Sequence, residues 1–238
     1  MSAENREPDP SADRTARDDD PGSDPLFRIA ALAGVATLPL AMIALLIADP
    51  TARADVNPGS SDAELLKVLI DTRTEQAWAS TCSALAAVGL WIFLGPLWAR
   101  VRRGSEWIAL VAVIGGVVVG AVLLFSSGVS LVAWVAADYE DADTARFLMV
   151  ANWETARVAV APALVMVGAT TLAGVRYGVF GSKINTFGGF FTFMLAFGML
   201  PASPAGLMGL AVTLWVLVVG LTLAFANPHF VHARRGDA

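Results

Sequence analysis

Long apolar runs separated by short polar segments dominate the pattern of the chain. Six of these runs are predicted to be membrane-crossing helices, because about 20 mostly apolar residues cross roughly 30 Å of hydrocarbon. The predicted spans are 27–48, 77–99, 108–137, 147–175, 184–201 and 205–226. The fifth is the shortest, and a five-span alternative makes it re-entrant and places the two termini on opposite sides. The pattern predicts an all-α fold, a polytopic transmembrane bundle of six helices.

The composition agrees with a membrane protein rather than a soluble domain. Of the 238 residues, 56% are hydrophobic and 16% are charged, whereas soluble domains are about 45–50% apolar and about 25% charged. The formal net charge of −5 is carried by residues 1–26, since residues 27–238 contain equal numbers of basic and acidic side chains. Residues 1–26 are rich in Pro and Asp and lack the apolar core of a signal peptide. We predict a disordered acidic cytoplasmic tail over 1–26 and a second cytoplasmic tail over 227–238.

The distribution of basic residues predicts the orientation, because cytoplasmic loops carry an excess of Lys and Arg. With six spans, eleven Lys and Arg residues lie on the side of the termini and four lie on the other side. Both termini are therefore predicted to be cytoplasmic (N-in/C-in), and the membrane to be the plasma (inner) membrane. Four residues near span ends are interpreted as interfacial anchors: Trp78, Trp98, Trp107 and Trp134.

The first external loop contains the one helix predicted outside the spans. Ser61 and Glu64 have the spacing of a capping box, in which the Glu64 carboxylate reaches the Ser61 backbone N–H. An amphipathic helix is predicted over residues 62–76, with an apolar side formed by Leu65, Leu66 and Leu69. It is interpreted as a connector that lies on the outer surface or packs over the bundle; a lid that gates a substrate is the alternative.

Two features inside the spans concern helix shape and packing. Pro39, Pro96 and Pro162 are expected to interrupt spans one, two and four, because each removes a backbone donor and frees a carbonyl. Gly116 and Gly120 form a GxxxG pattern in span three, which we interpret as a close helix contact within the chain rather than a dimer contact.

Glu154 and Arg157 are the candidate site. They lie inside the fourth span, three residues apart, and are expected to pair on one helix face that is turned away from lipid. An intramembrane ionisable residue is a functional candidate by default, so a ligand or proton site is weighed against a structural latch that ties span four to its neighbours. Polar side chains at similar depth on three spans predict a water-accessible pocket that opens outward: Asn152, Ser126, Ser127, Ser130 and Thr81.

No other pattern points to catalysis or to a bound cofactor. The motifs of serine hydrolases, zinc proteases, P-loop proteins and dinucleotide-binding domains are absent. Cys82 is the single cysteine, which excludes a disulfide framework within one chain. His229 and His232 are assigned to the C-terminal tail, and the acidic loop Asp138–Arg146 lacks the spacing of a Ca²⁺ loop. No metal, cofactor or nucleic acid is predicted; the predicted partners are the lipid bilayer and an unidentified membrane protein or small ligand.

Over residues 27–226 the layout resembles a broad group of six-span bacterial integral membrane proteins of unknown function. The shared features are the long first external loop, the Arg-bearing connector after span two, and the stretch Ala163–Leu200, where Gly188 and Gly189 open a Phe-rich span. Those proteins carry a Pro-Arg-Trp type of connector where this chain has Gly-Ser-Lys-Ile over 181–184. The resemblance implies a fold class and no activity.

Two functional hypotheses follow from these patterns. The first is a non-enzymatic membrane protein that binds a partner or small ligand through an outward-facing polar pocket. The alternative is a small transporter or permease-like protein that uses Glu154 and Arg157; a membrane enzyme ranks third.

Overall fold

The computed structural model describes residues 24–48, 59–200 and 205–225. These residues form eight α-helices, without a β-strand in the described ranges. In chain order the helices are α1 (Pro25–Ala48), α2 (Asp62–Asp71), α3 (Arg73–Val101), α4 (Glu106–Asp138), α5 (Ala142–Val158), α6 (Val160–Tyr177), α7 (Ser182–Gly198) and α8 (Ala205–Phe225). The predicted all-α fold is confirmed there. Residues 1–23 and 226–238 of the predicted tails, with His229 and His232, and the prolines 201 and 204 lie outside the described residues.

Within the described ranges, five segments are long and apolar enough to cross a membrane. They are α1 over Pro25–Ala44, α3, α4, the combined α5–α6 segment Ala142–Tyr177, and α8 over Met208–Phe225. The fifth predicted span, 184–201, is the one missing from these five; it corresponds to α7, which begins two residues and ends three residues earlier than expected. With 17 residues, α7 is about 26 Å long at 1.5 Å per residue, slightly less than the roughly 30 Å of hydrocarbon in a typical bilayer.

Six of the helices form a closed ring in which each packs against the next. Around the ring the order is α1, α3, α4, α6, α7 and α8, and α8 closes the ring against α1. Apolar side chains fill the centre, and the largest of them is Trp215 of α8. Phe93 of α3, Met166 of α6 and Leu195 of α7 are fully buried in the same cluster. The centre of the ring is therefore a packed apolar core.

Small residues mark the closest approaches between ring helices. Gly115 of α4 lies against the backbone of Pro162 and Met166 on α6, and Gly116 lies against the Met166 sulfur. Gly120 leaves room for the Trp91 ring of α3. The predicted GxxxG contact within the chain is thus confirmed, and the helices gain the close van der Waals contact that stabilises bundles in lipid.

The charged side chains gather at the two ends of the ring. We call one end the basic end; it comprises the start of α1, the turn after α3 and the connector after α6, with Arg28, Arg100, Arg102, Arg103, Arg176 and Lys183 against Asp24 and Glu106. The other is the acidic end, at the junction of α2 and α3 and the turn between α4 and α5. It carries Asp62, Glu64, Asp71, Glu75, Asp138, Glu140, Asp141 and Asp143 against Lys67, Arg73 and Arg146.

Only one of the three predicted proline interruptions coincides with a helix boundary. The fourth predicted span consists of two helices, since α5 ends at Val158 and α6 begins at Val160. The boundary lies at Val158, because in a continuous helix the Pro162 ring would clash with the Val158 carbonyl. Pro39 and Pro96 instead lie inside the continuous helices α1 and α3, so the expected interruption is wrong at these two positions.

The short helix α2 packs over the acidic end of the bundle. Ser61 caps it by accepting a hydrogen bond from the Glu64 backbone N–H at 3.4 Å, while the Ser61 hydroxyl donates to the Glu64 carboxylate at 3.0 Å. The carboxylate thus meets the hydroxyl of Ser61 rather than its backbone N–H. Leu65 and Leu69 are buried against the α4–α5 hairpin, which confirms the predicted apolar side. The helix ends at Asp71 rather than residue 76, because residues from Arg73 onward belong to α3.

Candidate functional site

An open groove of about 510 Å³ lies between α3 and α4 near the acidic end. Its α3 side is one face of the helix over three successive turns. The residues on this face are Arg73, Thr74, Ala77, Trp78 and Thr81. Trp134 of α4 forms the opposite wall. We call this the outer groove. It combines two large aromatic rings with a cation and two hydroxyl groups.

Arg73 is held at the mouth of the outer groove by two contacts to α4. Its guanidinium lies 4.2 Å from the centre of the Trp134 ring, a cation–π distance. Its Nη1 lies 3.2 Å from a carboxylate oxygen of Asp138. The Arg73 side chain is still half exposed, so donors of its five N–H groups remain directed at solvent. Trp134 Nε1, in contrast, is buried and has no hydrogen-bond partner among the described residues.

The Glu154–Arg157 pair forms as predicted but faces the wrong way for the predicted pocket. Arg157 Nη1 donates to Glu154 Oε1 at 3.2 Å. The side chains are 61% and 55% exposed for Glu154 and Arg157, so the expectation that both point into the bundle is wrong. Neither residue lines the outer groove. An exposed pair of this kind contributes little to stability.

The remaining predicted site residues do not converge on one pocket. The Ser126 hydroxyl donates to the amide oxygen of Asn152, which joins α4 to α5. Ser127 donates to the Leu123 carbonyl at 2.8 Å, and Ser130 donates to the Ser126 carbonyl at 3.1 Å, both within α4. Thr81 lines the outer groove and donates to the Ala77 carbonyl of its own helix at 2.8 Å. Of the seven predicted residues, only Thr81 lies in this groove.

The acidic loop between α4 and α5 uses its carboxylates for structure. Asp141 caps α5: its carboxylate accepts the Thr144 backbone N–H at 3.0 Å. Hydrogen bonds from the Thr144 hydroxyl and from that N–H hold the pKa of Asp141 below its usual value of 3.8. Glu140 has a positive φ of 57° in the turn. Within the described ranges, no group of three or more His, Cys, Asp or Glu side chains is placed to hold a metal ion.

Three groove residues are not predicted as site residues from the sequence. The sequence predicts Trp78 and Trp134 as interfacial anchors, and Arg73 only as one of the basic residues that indicate the orientation. One signal was available: Thr74, Ala77, Trp78 and Thr81 recur at helical spacing directly after an Arg. The contact of this face with Trp134 depends on the register between α3 and α4, which no local pattern encodes.

No known protein family, no curated protein and no solved structure matches the chain. The resemblance to six-span bacterial membrane proteins therefore stays a prediction, and the function is argued from the geometry alone.

Proposed function

We propose that the chain is an integral protein of the plasma membrane that crosses the bilayer six times, with both termini in the cytoplasm. The packing of α7 supports a sixth crossing. Gly188 of α7 lies against Thr171 of α6, and at the far end Gly198 lies beside Val160, the first residue of α6. Because α7 runs antiparallel along the whole of α6, it covers the same depth as its neighbour.

The charge at the two ends supports the orientation. The basic end carries six Lys and Arg residues in the described ranges, and the acidic end carries three. Cytoplasmic segments are enriched in Lys and Arg, whereas Asp and Glu contribute little to orientation. The basic end is therefore the cytoplasmic end in this proposal, and the acidic end faces outward.

We further propose that the protein is a non-enzymatic binding protein and that the outer groove holds a small amphipathic ligand. The observation that carries this is the convergence of Arg73, Trp78, Thr81 and Trp134 in one open groove at the outward end. Trp rings provide a large apolar contact area. The groove volume of about 510 Å³ is within the roughly 300–1,000 Å³ of typical ligand sites.

The polar groups of the groove favour a ligand head that accepts hydrogen bonds. Arg73 can only donate, because a guanidinium has no acceptor. The Thr81 hydroxyl uses its proton on its own helix, but its lone pairs are available to a donor on the ligand. An oxygen-rich head group, such as a phosphate or carboxylate on an apolar chain, matches the free donors of Arg73. A cationic head would find no acceptor on Arg73, and the nearby Asp138 carboxylate is already paired with that guanidinium.

Quenching of Trp fluorescence tests the proposed ligand class. The protein is placed in phosphatidylcholine nanodiscs and titrated with dodecyl phosphate brominated at the chain end. Saturable quenching is expected, and it should be reduced but not abolished in Trp78→Phe, because Trp134 also lines the groove. Arg73→Gln should weaken binding about tenfold, since a charge-assisted hydrogen bond is lost. Lys67→Gln, an exposed cation at the same end, is the matched control and should bind normally. Equal binding of dodecyltrimethylammonium, or equal effects of the two substitutions, would contradict the proposal.

The Glu154–Arg157 pair is left outside this proposal. Counted along α4 from Trp107, Ser126 lies about 29 Å away, and its partner Asn152 is two residues from Glu154. With Trp107 at the inner interface, the pair lies near the outer boundary of the hydrocarbon, where charged side chains reach the head groups. The transporter alternative requires Glu154 and Arg157 to line a pocket, and neither residue lines either of the two described grooves.

A further inference from the structure

A second groove lies between α4 and α6 at the basic end, on the opposite side of the membrane from the outer groove. Its volume is about 400 Å³. The α4 side consists of Trp107, Ile108 and Val111, and the α6 side consists of Ala169, Leu172, Arg176 and Tyr177. We call it the inner groove. It is open along its length, as a site for a lipid must be.

The lining of the inner groove changes from apolar to cationic along its axis. On α6, Ala169, Leu172 and Arg176 recur at i, i+3 and i+7, so they share one face. Arg176 is about 10 Å closer to the end of the bundle than Ala169. On α4, Trp107 lies at that end and Val111 lies one turn deeper. The groove therefore presents an apolar floor inside the bilayer and a cation with two aromatic rings at its surface.

The surroundings of Arg176 favour an anion. Arg102 and Arg103 lie in the turn after α3, and both are exposed. That turn packs against the Arg176 helix, since Gly104 lies against Tyr177. Glu106 is the one acidic side chain next to the groove in the described ranges. The basic charge around the groove therefore exceeds the acidic charge.

We propose that the inner groove is a binding site for one anionic phospholipid of the leaflet that faces the basic end. The Arg176 guanidinium binds the phosphate, because its planar donors match phosphate oxygens. The rings of Trp107, which is 71% exposed, and Tyr177 lie at the level of the glycerol ester groups, where aromatic side chains are enriched. The acyl chains pack on Leu172, Val111 and Ala169. Basic pockets between membrane helices on the cytoplasmic side are known to take such head groups.

The apolar floor distinguishes a lipid from a soluble anion. A free phosphate would use only Arg176 and would leave Leu172 and Val111 without a partner. A phospholipid covers both parts of the groove at once, and its chains are already at the depth of Ala169. The occupant is therefore identified by its two-part chemistry, an anionic head on an apolar tail.

Native mass spectrometry of the full chain in detergent tests the proposal. The protein is mixed with phosphatidylglycerol or with phosphatidylcholine of the same acyl chains, and the bound lipid is counted. We expect phosphatidylglycerol to bind about tenfold more tightly, the effect of one charge-assisted contact. Arg176→Gln should reduce this preference to near one. Lys183→Gln removes a cation at the same end without touching the groove and should preserve most of it.

A second variant separates the groove from general surface charge. Ala169→Phe keeps every charge but fills the apolar floor, and it should lower the binding of phosphatidylglycerol. If Arg176→Gln does not yield a monodisperse protein, Ala169→Phe and Arg176→Lys decide the question. Any of three results would overturn the proposal. The first is an equal loss of phosphatidylglycerol preference in Arg176→Gln and Lys183→Gln, and the second is full phosphatidylglycerol binding in Ala169→Phe. The third is displacement of the lipid by millimolar inorganic phosphate.

Discussion

Gly115 is a position where an added methyl group would meet the backbone of a neighbouring helix. A Cβ atom there would lie 2.7 Å from the Pro162 carbonyl oxygen and 2.8 Å from the Met166 backbone nitrogen. Backbone atoms cannot rotate away as the end of a flexible side chain can. We therefore expect Gly115→Ala to lower the free energy of unfolding by about 1–3 kcal/mol, the usual cost of overpacking. Thermal or denaturant unfolding in detergent micelles measures the change.

Gly128, on the same helix, is the matched control. No atom lies within 4 Å of the position that its Cβ would take. Replacing a helical Gly by Ala removes backbone freedom from the unfolded chain, which stabilises a helix by about 0.5–1 kcal/mol. Gly128→Ala should thus leave stability unchanged or raise it. Equal destabilisation by the two substitutions would show that α4 and α6 do not approach as closely as described.

Asp141 is expected to make the start of α5 sensitive to acid. Its pKa is lowered in the folded protein by the hydrogen bonds from Thr144. A group with a lowered pKa stabilises the fold above its ordinary value of 3.8, and this contribution is lost as the pH falls through the lower, folded value. The protection factors of Thr144 and its neighbours, which correct for the intrinsic pH dependence of amide exchange, should therefore fall below about pH 4. Asp141→Asn keeps a capping oxygen and should lack this step; an unchanged pH profile in this variant would assign the effect to another carboxylate.

At the scale of elements, α2 is expected to detach from the bundle when one leucine is shortened. Leu65 is 1% exposed and packs against Ala145 and Met149 of α5 and the end of α4. Truncation of a buried Leu costs about 2–5 kcal/mol, and the remaining described contacts of α2 include the buried Leu69 and an exposed ion pair between Asp62 and Arg146. Leu65→Ala should speed up hydrogen exchange across α2 while the ring helices remain protected. Ile70→Ala, at a position that is 46% exposed, is the control and should leave α2 protected.

The positions of the helices could be predicted from apolar run length, because a run long enough to cross a bilayer has to satisfy its backbone internally. Helix shape could not be predicted in the same way. Pro39, Pro96 and Pro162 carry the same local signal, yet only the last lies at a helix boundary. Prolines are tolerated inside membrane helices where neighbouring helices or local adjustments satisfy the freed backbone groups, and this tertiary context cannot be read from the local sequence.

A similar position along the bundle does not bring the predicted polar residues into one site. Ser127, Ser130 and Thr81 share such a position, but each hydroxyl donates to the carbonyl four residues earlier in its own helix. A hydroxyl that is hydrogen-bonded within its own helix does not indicate a pocket shared with other helices. The outer groove instead depends on Arg73 meeting Trp134, two residues far apart in sequence whose contact requires the register of α3 against α4.

At the scale of the whole molecule, six crossings and five crossings place the C-terminus on opposite sides. With six, a C-terminal fluorescent protein that folds only in the cytoplasm should be fluorescent. Cys82 is the one cysteine of the chain, so Cys82→Ser provides a background without thiols. In that background Asp143→Cys should react with a membrane-impermeant maleimide in intact cells, and Ser182→Cys should react only after lysis.

The two labelling positions act as controls for the fusion. Asp143 lies at the acidic end and Ser182 at the basic end, both exposed. A dark fusion together with the expected labelling would make α7 re-entrant and would overturn the sixth crossing. Reversed labelling at both positions would invert the whole molecule.

The short α7 gives the protein an apolar belt of unequal height. Around α7 the belt is about 26 Å tall, and its exposed face carries Phe190, Phe193 and Phe197. Along α4 the distance from Trp107 to Ser126 is about 29 Å. With α7 as the proposed sixth crossing, lipid next to α7 is expected to be a few ångströms thinner than lipid next to α4, at a cost of a fraction of a kcal/mol per ångström. A thinner membrane is then expected to favour the protein.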